Sequence, residues 1–301
     1  MKGRLAVLGN DSLLLLTSLI WGVAFVAQRV GMEHVGPFTY NAVRFALGAL
    51  SVLPVLAVSR RGFSRAAASR VSPLLAGALA GLILFGGASL QQIGLVSTTA
   101  GKAGFITGLY VVLVPLSGLL WGQRTGRSAW VGALACVAGL FFLSFNESFG
   151  IERGDLLVVL GAFFWAAHVQ IVGFFSPRTD PVGLACIQFA TCAVVSAGAA
   201  LATERVSAQG ILEAAGPILY GGLLSVGVAY TLQVVAQRKS KPAHAAILLS
   251  MESVFAAIGG SVLLGERLGP RGTVGCVLIF AGMIASQLPA VLRAANGRHA
   301  A

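Results

Sequence analysis

Charge is what this chain of 301 residues has least of: Asp, Glu, Lys and Arg together make up 10% of it. A soluble domain carries roughly 25%, so a water-soluble fold is excluded for most of the chain. Other absences narrow the function. No Gly-x-x-x-x-Gly-Lys-Ser/Thr loop occurs, so no loop of that kind cradles nucleotide phosphates and ATP does not drive the chain directly. There is no His-Glu-x-x-His run and no Cys-x-x-Cys pair, which removes the usual motifs for a catalytic metal; no cofactor is expected. Cys136, Cys186, Cys192 and Cys276 all lie in apolar runs and read as small buried side chains. No hydrophilic stretch is large enough to fold into a soluble active site. A net charge of +11 would elsewhere suggest nucleic acid. With no soluble domain to bind it, the expected partner is the lipid bilayer and not nucleic acid.

What the chain does have is apolar length. Uncharged stretches run over 12–28, 45–59, 71–101, 103–123, 128–146, 156–177, 181–203, 214–237 and 272–292, and 242–265 is broken only by Glu252. The short 45–59 run extends back through Arg44 to Pro37. A membrane-spanning helix needs about 20 apolar residues, so ten spans are expected. Backbone groups in lipid have no water to bond, which leaves helices or a closed barrel. Barrel strands would alternate over about 10 residues; these runs are longer and apolar on every side. The fold class is therefore an all-α membrane protein. The opening "MKGRLAVLGNDSLLLL" resembles a secretory signal, but its run is long enough to span and no clear cleavage site follows, so it reads as a retained first helix.

Basic residues collect in cytoplasmic loops. With the N-terminus inside, the inner side holds Lys2, Arg4, the cluster Arg60, Arg61, Arg65 and Arg70, then Arg124, Arg127, Arg178, Arg238, Lys239, Lys241, Arg293 and Arg298. Glu33, Glu147, Glu152, Asp155, Glu204, Glu213 and Glu266 fall outside. Both termini are expected in the cytoplasm, at the cell inner membrane.

The chain also says the same thing twice. Residues 120–126 read "LWGQRTG" and 263–269 read "LLGERLG". At an offset of 144, Trp21 meets Trp165, Pro37 meets Pro181, Phe45 meets Phe189 and Pro73 meets Pro217. At 143, Gly122 meets Gly265, Arg124 meets Arg267, Gly132 meets Gly275 and Gly139 meets Gly282. Two repeats are expected, over 1–146 and 147–301. Five helices in each is an odd number, so the second copy enters the membrane from the opposite side. Ten transmembrane helices as two inverted five-helix repeats is the arrangement in which one half rocks against the other. The glycines of each "G-x-R-x-G" permit tight turns. Gly77-x-x-x-Gly81 and Gly118-x-x-x-Gly122 allow close helix approach. The matched Gly132/Gly139 and Gly275/Gly282 intervals read as matched faces, joining either the halves or a homodimer.

Three stretches, "SLIWGVAFVAQRVGMEHVGPFTYNAVRFALGAL" (18–50), "GQRTGRSAWVGALACVAGL" (122–140) and "MESVFAAIGGSVLLGERLGPRGTVGCVLIFAGM" (251–283), resemble the ten-helix EamA-type branch of the drug/metabolite transporter superfamily. That resemblance implies ten helices, inner termini, a central cavity and transport of small metabolites, often outward. It does not choose among amino acids, nucleotide-related compounds, sugars, vitamins and drugs. The family commonly carries Glu-Pro in helix 9; here Ser253 follows Glu252.

Ionisable groups inside spans are costly and face a cavity or a partner. Glu252 lies ten residues past Pro242, about 15 Å along a helix. It either carries a proton, attracts a substrate amine, or is tied structurally to neighbouring hydroxyls or Arg. His168 is as deep, a proton site or a helix-to-helix hydrogen bonder. Arg44 binds an anionic group or snorkels to the interface; its repeat partner Gln188 keeps the position polar. Lys102 contacts substrate or reaches outer water. Gln91 and Gln92 sit near the outer end of helix 3, and Tyr110 is at mid-depth. Trp21 and Trp165 line a cavity or belong to an interfacial belt. Of these, Glu252, His168, Arg44, Tyr110, Gln188, Trp21, Trp165, Gln92 and Lys102 are the candidates for substrate binding or coupling. The expected function is secondary transport, export of small polar metabolites such as amino acids, with protons as the candidate coupling ion. Uptake or uncoupled passage in the same fold, and a membrane-embedded enzyme or lipid-handling protein, are the competing readings.

Overall fold

The computed structural model describes the backbone of residues 2–63, 71–144, 153–267 and 269–296, and the side chains of 9–58, 71–142, 153–267 and 269–286. The basic cluster Arg60, Arg61, Arg65 and Arg70, the terminal charges Lys2, Arg4, Arg293 and Arg298, and Glu147 and Glu152 lie outside the described side chains. Every regular element among the described residues is helical. The first half holds α1 (Lys2–Gly31), α2 (Pro37–Phe63), α3 (Pro73–Gly94), α4 (Ala100–Leu120) and α5 (Arg127–Ser144). The second holds α6 (Arg153–Phe175), α7 (Pro181–Thr203), α8 (Ala215–Gln237), α9 (Pro242–Leu264) and α10 (Pro270–Asn296). A short helix, Ala208–Glu213, leads into α8.

Eight of these segments are long and apolar enough to cross a membrane. The apolar described parts of α5 (Arg127–Phe142) and α10 (Pro270–Ser286) are shorter. The 18 residues of α5 reach about 27 Å at 1.5 Å each, just under the roughly 30 Å hydrocarbon core. This is where the structure departs from ten equal runs. The exterior is apolar: Leu50, Leu120, Val194, Leu201 and Val262, on four helices, are all exposed. A solvent of lipid accounts for such a surface; water does not.

Helix starts follow local chemistry. Pro37, Pro73, Pro181, Pro242 and Pro270 each open a helix, where a missing N–H leaves nothing unpaired. The side chains of Ser72, Thr99 and Asp180 cap α3, α4 and α7 by accepting from Leu75, Lys102 and Gly183 N–H. Among the described residues only Gly122 (φ 70°) and Gly265 (φ 68°) have positive φ. The repeated motif is therefore a left-handed helix terminator used once in each half.

The two halves pack by exchange. α2 lies on α7 and α5 on α10; α1 packs on α8 and α9, and α6 packs on α3 and α4. Replacing each helix by its counterpart leaves that pattern unchanged. Counterpart helices run antiparallel: Phe38 meets Glu204 while Ala49 meets Cys186, and Gly132 faces Gly282 while Gly139 faces Gly275. The glycine intervals thus join the two halves of one chain. A carbon added at Gly139 would lie 2.6 Å from the Gly275 carbonyl oxygen, and one at Gly132 would lie 2.7 Å from that of Gly282. Gly77 and Gly81 serve the same end, receiving Ile187 and Thr191 of α7.

Candidate functional site

Two helices are interrupted at matching depth. α4 tightens at Gly108 and Leu109, where the Leu109 N–H donates to the Ile106 carbonyl and Val111 to Gly108. α9 tightens at Ser250 and Met251, where Met251 donates to Leu248 and Ser253 to Ser250. Single turns with i→i−3 bonds replace the α ladder at both places. The breaks are 142 positions apart, one off the register of the flanking motifs. They cross: the Ser253 hydroxyl donates to the Gly104 carbonyl of α4 at 2.7 Å. The kink associated with Glu-Pro is thus present without proline, and the serine in its place supplies a bond that proline lacks. α8 is irregular too, winding as a π-helix over Tyr220–Tyr230. Trp21 Nε1 donates to the Ser225 carbonyl there at 3.2 Å, and Thr17 Oγ1 to that of Ala229.

Between these irregular segments lies a narrow cavity of about 30 Å³. It is lined by Trp21, Phe25 and Gln28 of α1, Arg44 of α2, Gln91 of α3, Thr107 and Tyr110 of α4, Trp165, His168 and Val169 of α6, Ser225, Tyr230 and Gln233 of α8, and Leu249 and Glu252 of α9. Six of the nine sequence candidates are brought together here: Glu252, His168, Arg44, Tyr110, Trp21 and Trp165. Gln188 stands behind them, its Oε1 3.0 Å from His168 Nε2. Two stand apart. Gln92 is fully buried and donates to the Gln28 carbonyl, while Gln91 faces the cavity. Lys102 pairs with Asp155 of α6 at 2.6 Å, near one end of the bundle.

Tyr230 is the centre of the aromatic wall, and nothing in its sequence context singles it out. Its ring lies 4.4 Å from Trp21, 6.2 Å from Trp165 and stacked, 6.1 Å from Phe45 and 6.0 Å from both Phe189 and His168. Trp21 and Trp165 are repeat counterparts, as are Phe45 and Phe189. Tyr230 therefore sits where the two halves meet, and its own counterpart is Gly86. Gln91 is the polar hub: it accepts from Trp165 Nε1 at 2.9 Å and from Thr107 Oγ1 at 3.3 Å, and donates to Gln28 at 3.0 Å.

The charged groups are incompletely partnered. Arg44 is 2% exposed. Its Nε donates to Asn41 Oδ1 at 3.0 Å, and its guanidinium lies over Tyr40 and Phe45. The ion pairs among the described residues do not include it. Glu252 is 3% exposed; its carboxyl faces the Tyr110 hydroxyl, but neither Glu252 Oε1 nor that hydroxyl makes a hydrogen bond of regular geometry. Buried polar groups left so are costly, and a ligand that fits among them relieves that cost.

The model of the EamA-like transporter family matches this chain twice, over residues 10–145 and 152–286. The chain belongs to that family. A protein of Archaeoglobus fulgidus named as an uncharacterized transporter is 32% identical over 275 residues, covering 90% of this chain and 83% of its own. The uncharacterized inner membrane transporter YedA of Escherichia coli (strain K12) is 28% identical over 262 residues, covering 83% and 81%. A solved crystal structure matches with a TM-score of 0.75 at 20% identity, covering 93% of this chain and 96% of that one; it speaks to the fold. An EamA-family chain with this apolar exterior is a multi-pass membrane transporter, with a small-molecule substrate and the bilayer as its partners.

Proposed function

We propose that the chain is a secondary transporter of the cell inner membrane that exports small polar metabolites such as amino acids, in exchange for protons carried on Glu252. The observation that carries this reading is the cavity itself. A cation without a carboxylate partner, Arg44, and a carboxyl with an unpartnered oxygen, Glu252, line one space walled by Trp21, Trp165 and Tyr230. The chemistry of the lining is complementary to a small zwitterion that enters as the halves move apart: its carboxylate to Arg44, its ammonium to Glu252, its side chain to the rings.

In this reading all ten helices cross the membrane, α5 and α10 included. The halves are 1–146 and 147–301, both termini are cytoplasmic, and the halves rock about their shared seam. The paired helix breaks put the cavity at mid-depth, where small backbone changes redirect lining groups. Glu252 alternates between binding a proton and binding the substrate amine, so the two move in opposite directions. An enzyme in the same fold is less well supported, because His168 Nε2 faces Gln188 and not a serine or cysteine nucleophile.

The test is counterflow in liposomes against a labelled panel of amino acids and other metabolites, with Glu252→Gln beside the unaltered chain. A saturable signal that depends on a proton gradient, with that dependence lost in the variant, supports exchange. Signal from other metabolites alone removes amino acids as substrate. Gradient-independent flux in the unaltered chain removes proton exchange.

A further inference from the structure

At one end of the bundle the two halves are fastened by acids of the second half. Glu204, which ends α7, takes the N-terminus of α2: its Oε1 accepts from Phe38 N–H at 2.8 Å, and its Oε2 from Thr39 N–H at 2.8 Å and Thr39 Oγ1 at 2.6 Å. Glu266, of the repeated "GERLG", takes the N-terminus of α4: its two oxygens accept from Ala100 N–H at 3.1 Å and Gly101 N–H at 3.2 Å. Each acid ends a helix and caps the counterpart of that helix in the other half. Free N–H groups and the helix dipole make both sites favourable for a carboxylate, and such bonds are about twice as strong as neutral ones. Room for them is left by glycine: a carbon added at Gly36 would strike the Glu204 carboxylate, and one at Gly260 that of Glu266.

The opposite end is built differently. The repeat counterpart of Glu266 is Gln123, a neutral amide that donates to Gln170 at 2.9 Å. The counterpart of Glu204 is Arg60, whose sign is reversed. There α7 is capped by Asp180 from its own loop, and α9 receives no side-chain cap from Lys241. Across the halves at that end, Asp11 and His244 meet at 2.9 Å. Among the described residues the duplicated frame is thus symmetric, and the fastening by acid on helix N-terminus is not.

We propose that Glu204 and Glu266 are positioning residues of the transport cycle: latches that hold the halves together at this end, whose release opens the cavity to that side. The inference rests on the rocking-halves reading, and its test needs no substrate, so its failure is separable from a failure to find one. The reporter is a cysteine at Thr107→Cys, on the cavity wall, labelled by a membrane-impermeant maleimide in right-side-out and in inside-out vesicles. Labelling of the native cysteines, measured without the reporter, is subtracted.

Glu204→Gln with Glu266→Gln is expected to raise labelling from the latch side by about tenfold and to lower it from the other. A rise from both sides, which general loosening would give, overturns the proposal, as does no change from either. If the double variant does not fold, Glu204→Gln and Glu266→Gln are read singly. Thr39→Val is read alongside: it removes only the hydroxyl donor and is expected to shift labelling in the same direction by a smaller factor. Unchanged labelling in all three overturns the proposal as well.

Discussion

Phe45 and Phe189, 144 positions apart and in the same place in each repeat, meet across the join of the two halves with their ring centroids 6.5 Å apart. A residue touches its own counterpart only near a twofold axis. The Gly132–Gly282 and Gly139–Gly275 approaches mark the same relation between α5 and α10, where close helix contact depends on small residues because lipid offers no hydrophobic drive.

The glycine seam gives the first prediction. Gly139→Leu places a side chain against the Gly275 carbonyl and Ile279, which cannot withdraw without parting the helices. Overpacking of this kind costs about 1–3 kcal/mol. Thermal unfolding in detergent is expected to fall well below that of the unaltered chain. Gly126→Ala, where an added carbon meets nothing within 4 Å, is the control and is expected to leave it unchanged.

Much of this frame was legible in the sequence, and the reason is physical. Matched Trp, Pro, Arg and Gly report duplicated geometry, so Trp21/Trp165, the matched glycine faces and the tight turns at Gly122 and Gly265 could be read from spacing; that the glycine faces join the halves and not a homodimer could not. Symmetry-breaking features could not. Tyr230 stands opposite Gly86, so no repeat marks it. Gln91 and not Gln92 turns to the cavity, a matter of helix rotation that a doubled Gln does not settle. The α4 break falls at Gly108–Leu109, without proline. Lys102, read from the sequence as contacting substrate or reaching outer water, instead pairs with Asp155, 53 positions away.

That pair supplies the second prediction. Asp155 is 5% exposed and holds both Lys102 Nζ, at 2.6 Å, and Thr98 Oγ1, at 2.9 Å. Asp155→Asn removes the charge and leaves Lys102 facing a neutral amide in a poorly solvated place. Breaking one partner of a buried pair costs about 3–5 kcal/mol at the upper end. Lys102 is partly exposed, so the lower part of that range is expected. The measurement is unfolding temperature, with Lys102→Met/Asp155→Leu expected to recover most of the loss.

Tyr230 separates packing from recognition. Its ring contacts Trp21, Phe45, Trp165, His168 and Phe189. Tyr230→Phe keeps every ring contact and removes only the hydroxyl, so stability is expected to hold. Tyr230→Ala empties the centre of the wall, at a cost of about 3–5 kcal/mol for a large buried aromatic. With a substrate in hand, Tyr230→Phe changing the counterflow KM would place the hydroxyl on the ligand. Equal KM values would leave Tyr230 as wall alone.

Ser253 tests whether the break in α9 is written into the backbone or imposed by one side chain. Its hydroxyl donates to Gly104 across to α4, and its N–H makes only the i→i−3 bond to Ser250. Ser253→Ala loses the bridge alone, worth about 1 kcal/mol. Ser253→Pro also loses the short N–H bond, but near the first turn of a helix segment proline is tolerated. Its cost is therefore expected to stay close to that of alanine. Proline at Ala256, one turn further on and fully buried, removes a regular helix bond and costs about 3 kcal/mol or more. Unfolding temperatures ordered Ser253→Ala, Ser253→Pro, Ala256→Pro, with the large step falling last, would show that Ser250–Met251 breaks the helix by itself. A large step already at Ser253→Pro would mean that the turn depends on the amide that proline removes.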